Sequence, residues 1–233
     1  MTAWTDAPLV VLDLEGSGAQ DRDDEAILEI AVVPLSSGKP SLPKAYCTLI
    51  NPGRPIPHRP WISPGLTSTV LATAPPLAEV VPELAARIDG KIVVGHNVGV
   101  DYRLLRRRCP DIKPRALIDT LRLARHLNPA LKRNALGELL ERHGLTADVT
   151  RLVPDSQPHR ALWDTVGTAL LLPALISDLA PGTTVTLADL ITTAGLTVEA
   201  ASAREHKPAT AAGARDALRP RLTWIGELVR RSS

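Results

Sequence analysis

The chain has 233 residues, 44% hydrophobic and 22% charged, enough for one domain of ordinary size and incompatible with wholesale disorder. Aromatic residues make up only 3%, with no Phe, so the core has to be built from Leu, Val, Ile and Ala. The 27 cations, 21 of them Arg, nearly balance 25 acids, and a net charge of +2 is no nucleic-acid signature by itself.

The N-terminal Met-Thr-Ala-Trp-Thr-Asp lacks the charged and apolar regions of a signal peptide. Pro8 to Leu14 (PLVVLDL), Ile27 to Leu35 (ILEIAVVPL) and Lys44 to Ile50 are β-branched runs joined by links too short for a helical crossover. They are expected to form an antiparallel meander. The proline-rich residues 51–67 read as an excursion loop. Leu77, Val80, Val81, Leu84, Ala85 and Ile88 then follow helical spacing, with Pro82 expected to kink or divide the helix. Lys91 to Gly95 reads as a strand reached through that helix, hence parallel to a neighbour.

Helices are expected around residues 100–108, 119–127, 132–143 and 160–177, the third closed by Gly144. Together these elements predict an α/β domain, a mixed sheet with helices packed on it. Beyond about Pro181 the pattern weakens to a short helix at Leu187 to Ala194, a linker at Ala200 to Ala212 and a further helix at Ala211 to Arg230. The division expected is residues 1–180 as the working domain and 181–233 as a helical C-terminal extension. Residues 201–233 carry +4 and the first 200 carry −2, so the tail permits phosphate binding without requiring it.

Cys47 and Cys109 have neither metal-ligand spacing nor a disulfide framework. The longest apolar stretch, near Ala169 to Ile176, falls short of the roughly 20 residues that span a bilayer. A cytoplasmic, reduced setting with no membrane partner is the expectation.

Three constellations carry possible chemistry. Asp13 and Glu15 end the first strand two residues apart, so both carboxylates share a face. Paired anions of this kind suit a hard divalent cation, Mg²⁺ or Mn²⁺. Alternatively Glu15 simply enters a solvated turn with Gly16-Ser17-Gly18. In the second, a strand delivers His96 and Asn97 into a helix start with Asp101 about one turn in. Asn97 could equally be a cap and Asp101 a charge favoured near the helix N-terminus. In the third, His159 and Asp164 lie five positions apart, some 140° around a helix. They meet at one site only if His159 precedes the helix, which Pro158 favours. Four carboxylates and one titratable imidazole are the ingredients of a two-cation phosphoryl-transfer site.

The segments VVLDLEGSGAQ…ILEIAVV, VGHNVGVDYRLL and HRALWDTVGTALL, in that order, resemble the three exonuclease motifs of the DnaQ-like DEDDh family of 3′–5′ exonucleases, to which the exonuclease domain of the DNA polymerase III epsilon subunit belongs. LINPGRPIP and IDTLRLARHL…LGELLERHGL resemble the same family, and the similarity covers roughly residues 8–178. The resemblance implies a ribonuclease-H-like mixed five-stranded sheet flanked by helices. It also implies two bound cations held by Asp13, Glu15, Asp101 and Asp164, with His159 as the general base that deprotonates the attacking water. H-x4-D spacing separates the chain from the sister group that uses Tyr. Gly16, Ser17, His96 and Asn97 are implied as substrate-binding, the substrate being single-stranded or frayed 3′ ends, DNA before RNA, and the products nucleoside 5′-monophosphates.

The chain also departs from the family pattern. Gly16-Ser17-Gly18 stands for the usual Thr-Thr-Gly, Val100 for the Phe before the second-motif Asp, and Pro64-Gly65-Leu66-Thr67 for a loop that normally carries His. Of the aromatic residues that could compensate, Trp61, Trp163 and Tyr102, packing in the core is the expectation for each. Arg106, Arg107 and Arg108 splay around their helix, so at most one or two can face a strand of nucleic acid. With Gln20 and Gln157 as the only glutamines, the tail has no glutamine-led clamp-binding peptide. A stand-alone or accessory exonuclease, serving DNA repair for example, is therefore expected, with a polymerase or other protein as a possible partner of the extension. The alternative reading is a non-catalytic nucleic-acid-binding or scaffold module on the same fold.

Overall fold

The computed structural model describes residues 2–18 and 23–198 of the chain. The linker and helix expected between Ala200 and Arg230, and the whole of the basic tail, lie outside the described residues.

The three apolar runs form strands β1 (Leu9–Gly16), β2 (Ile27–Ser36) and β4 (Tyr46–Leu49), with the two-residue β3 (Lys39–Pro40) between the last two. β2 pairs antiparallel with β1 on one side and with β3 and β4 on the other, as a meander requires. β5 (Ile92–Gly95) lies parallel to β1, and β6 (Ala116–Asp119) parallel to β5. A final pair of residues, β7 (Gly195–Leu196), adds antiparallel to β6. Five principal strands and two short ones thus make a mixed sheet in the order β3-β2-β1-β5-β6-β7, with β4 beside β3 on β2. β6 is the strand that periodicity alone does not reveal. Its four residues run straight into helix α4 (Thr120–Leu127), where Asp119 caps the helix by accepting the Leu121 N–H at 2.9 Å.

Alternation along β1 and β2 sorts the core into two layers. Val10, Leu12, Leu14, Ile30 and Val32 face helices α2 (Leu77–Ile88) and α3 (Gly99–Arg108). Leu9, Val11 and Val33 face α4, α5 (Leu136–Arg142), α6 (Thr146–Leu152), α7 (Ala161–Leu179) and α8 (Leu187–Ala194). One further turn of helix, α1 (Ser68–Leu71), follows the proline-rich loop.

α2 runs through Pro82 as one element and is not divided. The carbonyl that Pro82 leaves without an N–H belongs to Ala78, and both residues face solvent, where water takes the place of the missing bond. The helix expected at 132–143 is confined to Leu136–Arg142, after which Gly144 adopts φ +69°. Residues 128–135 are needed as loop, because the Asn134 carbonyl accepts from His96.

α7 has 19 residues and, among the described residues, is the one helix long and apolar enough to cross a membrane, contrary to the length estimated from its apolar stretch. It is spent as a core helix, with Trp163, Val166, Ala169, Leu171, Leu172 and Leu175 all buried. The part of the C-terminal extension that is described also packs on this layer, through Val185, Leu190 and Ala194, while Leu196 joins the layer of α2 and α3. The capping box between Thr186 and Asp189 starts its helix.

Candidate active site

Asp13 and Glu15 continue the row that Leu9 and Val11 begin, so both carboxylates point toward the α7 layer at the end of β1. Asp164 lies in the first turn of α7. One carboxylate oxygen from each of the three lies within 4.8 Å of the other two. Asp101, in the first turn of α3, is buried at their edge and accepts the Leu14 N–H at 3.0 Å.

His159 precedes α7, as its meeting with Asp164 demands. It takes φ +66°, its backbone N–H points to Asp164 Oδ1 at 3.4 Å, and its ring is exposed. The structure thus brings Asp13, Glu15 and Asp164 together, with Asp101 buried on Leu14 and the His159 backbone on Asp164.

These carboxyls hold their protons more tightly than ordinary acids. Burial, then the charges of Asp101, Asp164, Glu15 and Glu29, raises the pKa of Asp13 well above the usual range. Burial is also the main cause for Glu15, pushed up to about 8, Asp101 to about 7 and Asp164 to about 6. Ser63, which donates to Glu15 Oε2 from the proline-rich loop, and the Leu14 N–H on Asp101 act in the opposite direction. A divalent cation among hard oxygen donors would relieve this crowding, and the donor set therefore fits one.

A pH dependence follows. In the unfolded chain these groups titrate near 4, whereas the fold favours their protonated forms up to about 6 to 8. Their contribution to stability is full below about pH 4 and is lost as pH rises through the folded values. In EDTA, Tm should fall between pH 5 and pH 8 more steeply for the wild type than for a Glu15→Gln variant. Mn²⁺ should raise Tm more at pH 8 than at pH 5, because fewer protons then have to be displaced. Thermal melts across pH, with and without Mn²⁺, check this; equal shifts at both pH values would contradict it.

Around the cluster stand residues that the motifs do not reveal. Glu29 sits opposite Glu15 across β1 and β2 and is buried. Its two oxygens are held by Arg160, from Nε and Nη2 at 2.8 Å each, and Oε2 also accepts the Ala161 N–H at 3.1 Å. The residue after His159 is thereby tied to the sheet. A lone acid inside the apolar run ILEIAVV is the sequence signal that could have found it. Asp119 joins β6 to the second motif by accepting the Asn97 N–H at 2.8 Å.

Of the four residues implied as substrate-binding, two have side chains committed elsewhere. Ser17 is buried, and its Oγ accepts the Ala26 N–H at 2.9 Å, pinning the turn after β1 to the start of β2. His96 uses both ring nitrogens inward, Nε2 on the Asn134 carbonyl and Nδ1 on Thr120 Oγ1, each at 2.9 Å. Burial lowers its pKa, so it is a neutral bridging imidazole. Both side chains are engaged within the protein: a buried polar side chain needs partners, and the nearest are the protein's own. Gly16 lines a groove of about 300 Å³ beside Glu15 and Asp101, and Asn97 is exposed at φ +64°.

Trp163 and Tyr102 are core residues as expected, but Trp61 is not: it is 45% exposed and lines that same groove. The basic run is largely used internally. Arg103 pairs with Glu25 at 2.5 Å, Arg107 lies 3.8 Å from Glu25, and Arg108 donates to the carbonyls of Asp23 and Glu25. Arg106 is exposed.

The chain is similar to known proteins in sequence and in fold. The chain is 30% identical over 178 residues to the DNA polymerase III subunit epsilon of Aquifex aeolicus, covering 75% of this chain and 83% of that one. It is 35% identical over 173 residues to a DNA polymerase III subunit epsilon-like protein of Rhodobacter capsulatus, where the match covers 71% of this chain but only 24% of the longer relative. Among solved structures, Exonuclease X in complex with 5′ overhanging duplex DNA superposes with TM-score 0.57 at 28% identity, over 78% of this chain and 98% of that one. The nuclease domain of 3′hExo, a DEDDh family member bound to rAMP, shares the fold with TM-score 0.57 at 14% identity, over 76% and 95% of the two chains. The family profile described as exonuclease matches residues 10–172, which contain every carboxylate of the cluster and His159, and the chain therefore belongs to the exonuclease family, with the epsilon subunit of DNA polymerase III among its relatives.

Proposed function

We propose that the protein is a metal-dependent 3′–5′ exonuclease of the DEDDh type. It hydrolyses phosphodiester bonds from the 3′ end of single-stranded or frayed nucleic acid, DNA in preference to RNA, and releases nucleoside 5′-monophosphates. The observation that carries this is the convergence of Asp13, Glu15 and Asp164 oxygens within 4.8 Å, with His159 two positions before the helix that bears Asp164. The preference for DNA is supported by the relatives, which are named as DNA polymerase subunits or solved with DNA.

Asp13, Glu15, Asp101 and Asp164 would hold two Mg²⁺ or Mn²⁺ ions. When bound, the ions supply an acidified water and neutralise charge at the phosphorus and the leaving 3′ oxygen. His159 accepts the proton of the attacking water through its exposed ring, and the P–O3′ bond breaks as the new P–O bond forms. Asp164 holds the His159 backbone, and Ser63 orients Glu15. Gly16 supplies a side-chain-free wall against the terminal nucleotide. The chemistry is assigned to residues 1–180, and a cytoplasmic setting accords with the free thiols of Cys47 and Cys109. A docking role for the basic tail falls outside the described residues.

The test is incubation of the purified protein with 5′-labelled single-stranded DNA and RNA in Mg²⁺, Mn²⁺ or EDTA, beside an Asp13→Ala, Glu15→Ala variant. A metal-dependent ladder shortening from the 3′ end, faster on DNA and absent in the variant, is expected. His159→Ala should lower kcat roughly 10²- to 10⁴-fold, the usual contribution of a positioned base. Folded protein that binds both strands and cleaves neither would instead mark a non-catalytic binding module.

A further inference from the structure

Among the described residues, five large hydrophobic side chains are exposed: Trp61, Val70, Val100, Leu152 and Ile191. Two of them line one groove. Trp61 from the proline-rich loop and Val100 from the first turn of α3, 45% and 51% exposed, share it with Glu15, Gly16 and Asp101. Exposing an indole and a β-branched side chain at one place, beside a cluster of carboxylates, leaves apolar surface that a ligand would cover.

The indole is held there. Its Nε1 donates to the Ser17 carbonyl at 3.2 Å, and the Arg59 guanidinium carbon lies 5.3 Å from the ring centroid. The hydrogen bond engages the edge of the ring and not its π-face. Ser17, in turn, is locked to Ala26 through both its backbone and its Oγ. The turn Gly16-Ser17-Gly18, which departs from the family's Thr-Thr-Gly, is therefore the support on which Trp61 stands. Val100 is the position where the family pattern puts Phe. The aromatic surface missing from α3 is present in the same groove on a different element.

We propose that Trp61 is a substrate-positioning residue that stacks on the nucleobase of the 3′-terminal nucleotide, with Val100 packing against the same base. This rests on the exonuclease reading of the carboxylate site. A flat, apolar, uncharged group is what the two side chains fit, and the phosphate of the same nucleotide would then lie toward Glu15 and Asp101. A paired terminal base must leave its stack to reach the indole, which costs a few kcal/mol. Unpaired ends are therefore the better substrates, and an end that lacks its base loses the benefit of Trp61 altogether.

The experiment uses the full chain with two single-stranded DNA oligonucleotides, one ending in deoxyadenosine and one ending in an abasic deoxyribose. Trp61→Ala should raise KM roughly 10- to 100-fold on the first, the range that base–aromatic stacking supports, and Trp61→Phe should recover most of the loss. On the abasic end, wild type and Trp61→Ala should converge. Quenching of intrinsic tryptophan fluorescence by dAMP in Mg²⁺ should be seen with wild type and lost in Trp61→Ala. An equal rise of KM on both ends, or quenching that survives Trp61→Ala, would overturn the proposal and leave Trp61 a support of its loop. Wild type that degrades neither oligonucleotide but shows Trp61-dependent quenching would sink the exonuclease reading and keep the base platform. Absence of both signals would remove both.

Discussion

Asp13→Asn should lower metal-dependent degradation of 3′ ends by on the order of 10³-fold or more, the scale of a single preorganised charge-stabilising group. It should at the same time raise the Tm of the metal-free protein at pH 8. Both effects have one cause. Asp13 lies next to Asp101, Asp164, Glu15 and Glu29, whose charges and whose common burial push its pKa well above the usual range. At pH 8 the metal-free fold must either carry several of these charges close together or keep protons on them against the solvent. An amide of the same shape removes one charge from the cluster and relaxes the rest. The chemistry suffers because the oxygens of Asp13, Glu15 and Asp164 form one donor set, and an amide oxygen is a weaker ligand for a hard cation. Differential scanning fluorimetry in EDTA and single-turnover cleavage in Mn²⁺ measure the two effects on one sample. A variant that is inactive and also less stable than wild type in EDTA would show that Asp13 is needed to hold the fold, and the argument from crowded charge would be wrong.

Arg160→Met is expected to be the most damaging substitution outside the carboxylate cluster. It strands Glu29, which is buried and, among the described residues, otherwise bonded only to the Ala161 N–H and, weakly, to Cys47. Removing one partner from a buried, doubly hydrogen-bonded ion pair typically costs about 3–5 kcal/mol, because the remaining charge stays desolvated. Here the stranded charge also faces Glu15 across the β1–β2 pair, adding a repulsion that Arg160 now neutralises. The double variant Glu29→Gln, Arg160→Met removes both charges and should be less destabilised than Arg160→Met alone. Urea denaturation gives the comparison directly. If Arg160→Met cost less than about 1 kcal/mol, the pair would be no stronger than a surface salt bridge. Activity should fall with stability, since Arg160 is the residue between His159 and α7, and loosening it frees the left-handed conformation that carries the imidazole.

Much of this organisation is legible in the chain itself. The β-branched runs separated by short links become β1, β2 and β4 in the expected antiparallel order. The period of two puts Asp13 and Glu15 on the row begun by Leu9 and Val11, which faces α7. The five-residue offset between His159 and Asp164 forces the histidine out of the helix, and it is found there. Such inferences succeed because each depends on local geometry, the pleat of a strand or the pitch of a helix, that a few consecutive residues fix.

Other features were decided by packing between distant segments. Four residues at 116–119 become a strand only because the edge of β5 is there to pair with. Ser17 and His96 look like polar ligands in their motifs, yet Ala26, Thr120 and Asn134 engage their side chains. Glu29 belongs to the site through Arg160, 131 positions away. Trp61 stands out in the groove because a proline-rich loop with little regular structure is tied to Ser17 by one hydrogen bond. Periodicity along the chain is enough to set the class of fold and the carboxylates that share a face. The polar side chains that stay unengaged, and the aromatic surface left exposed beside the carboxylates, were set by packing between distant segments, because a buried donor or acceptor must find its partner wherever the fold brings one within hydrogen-bonding distance.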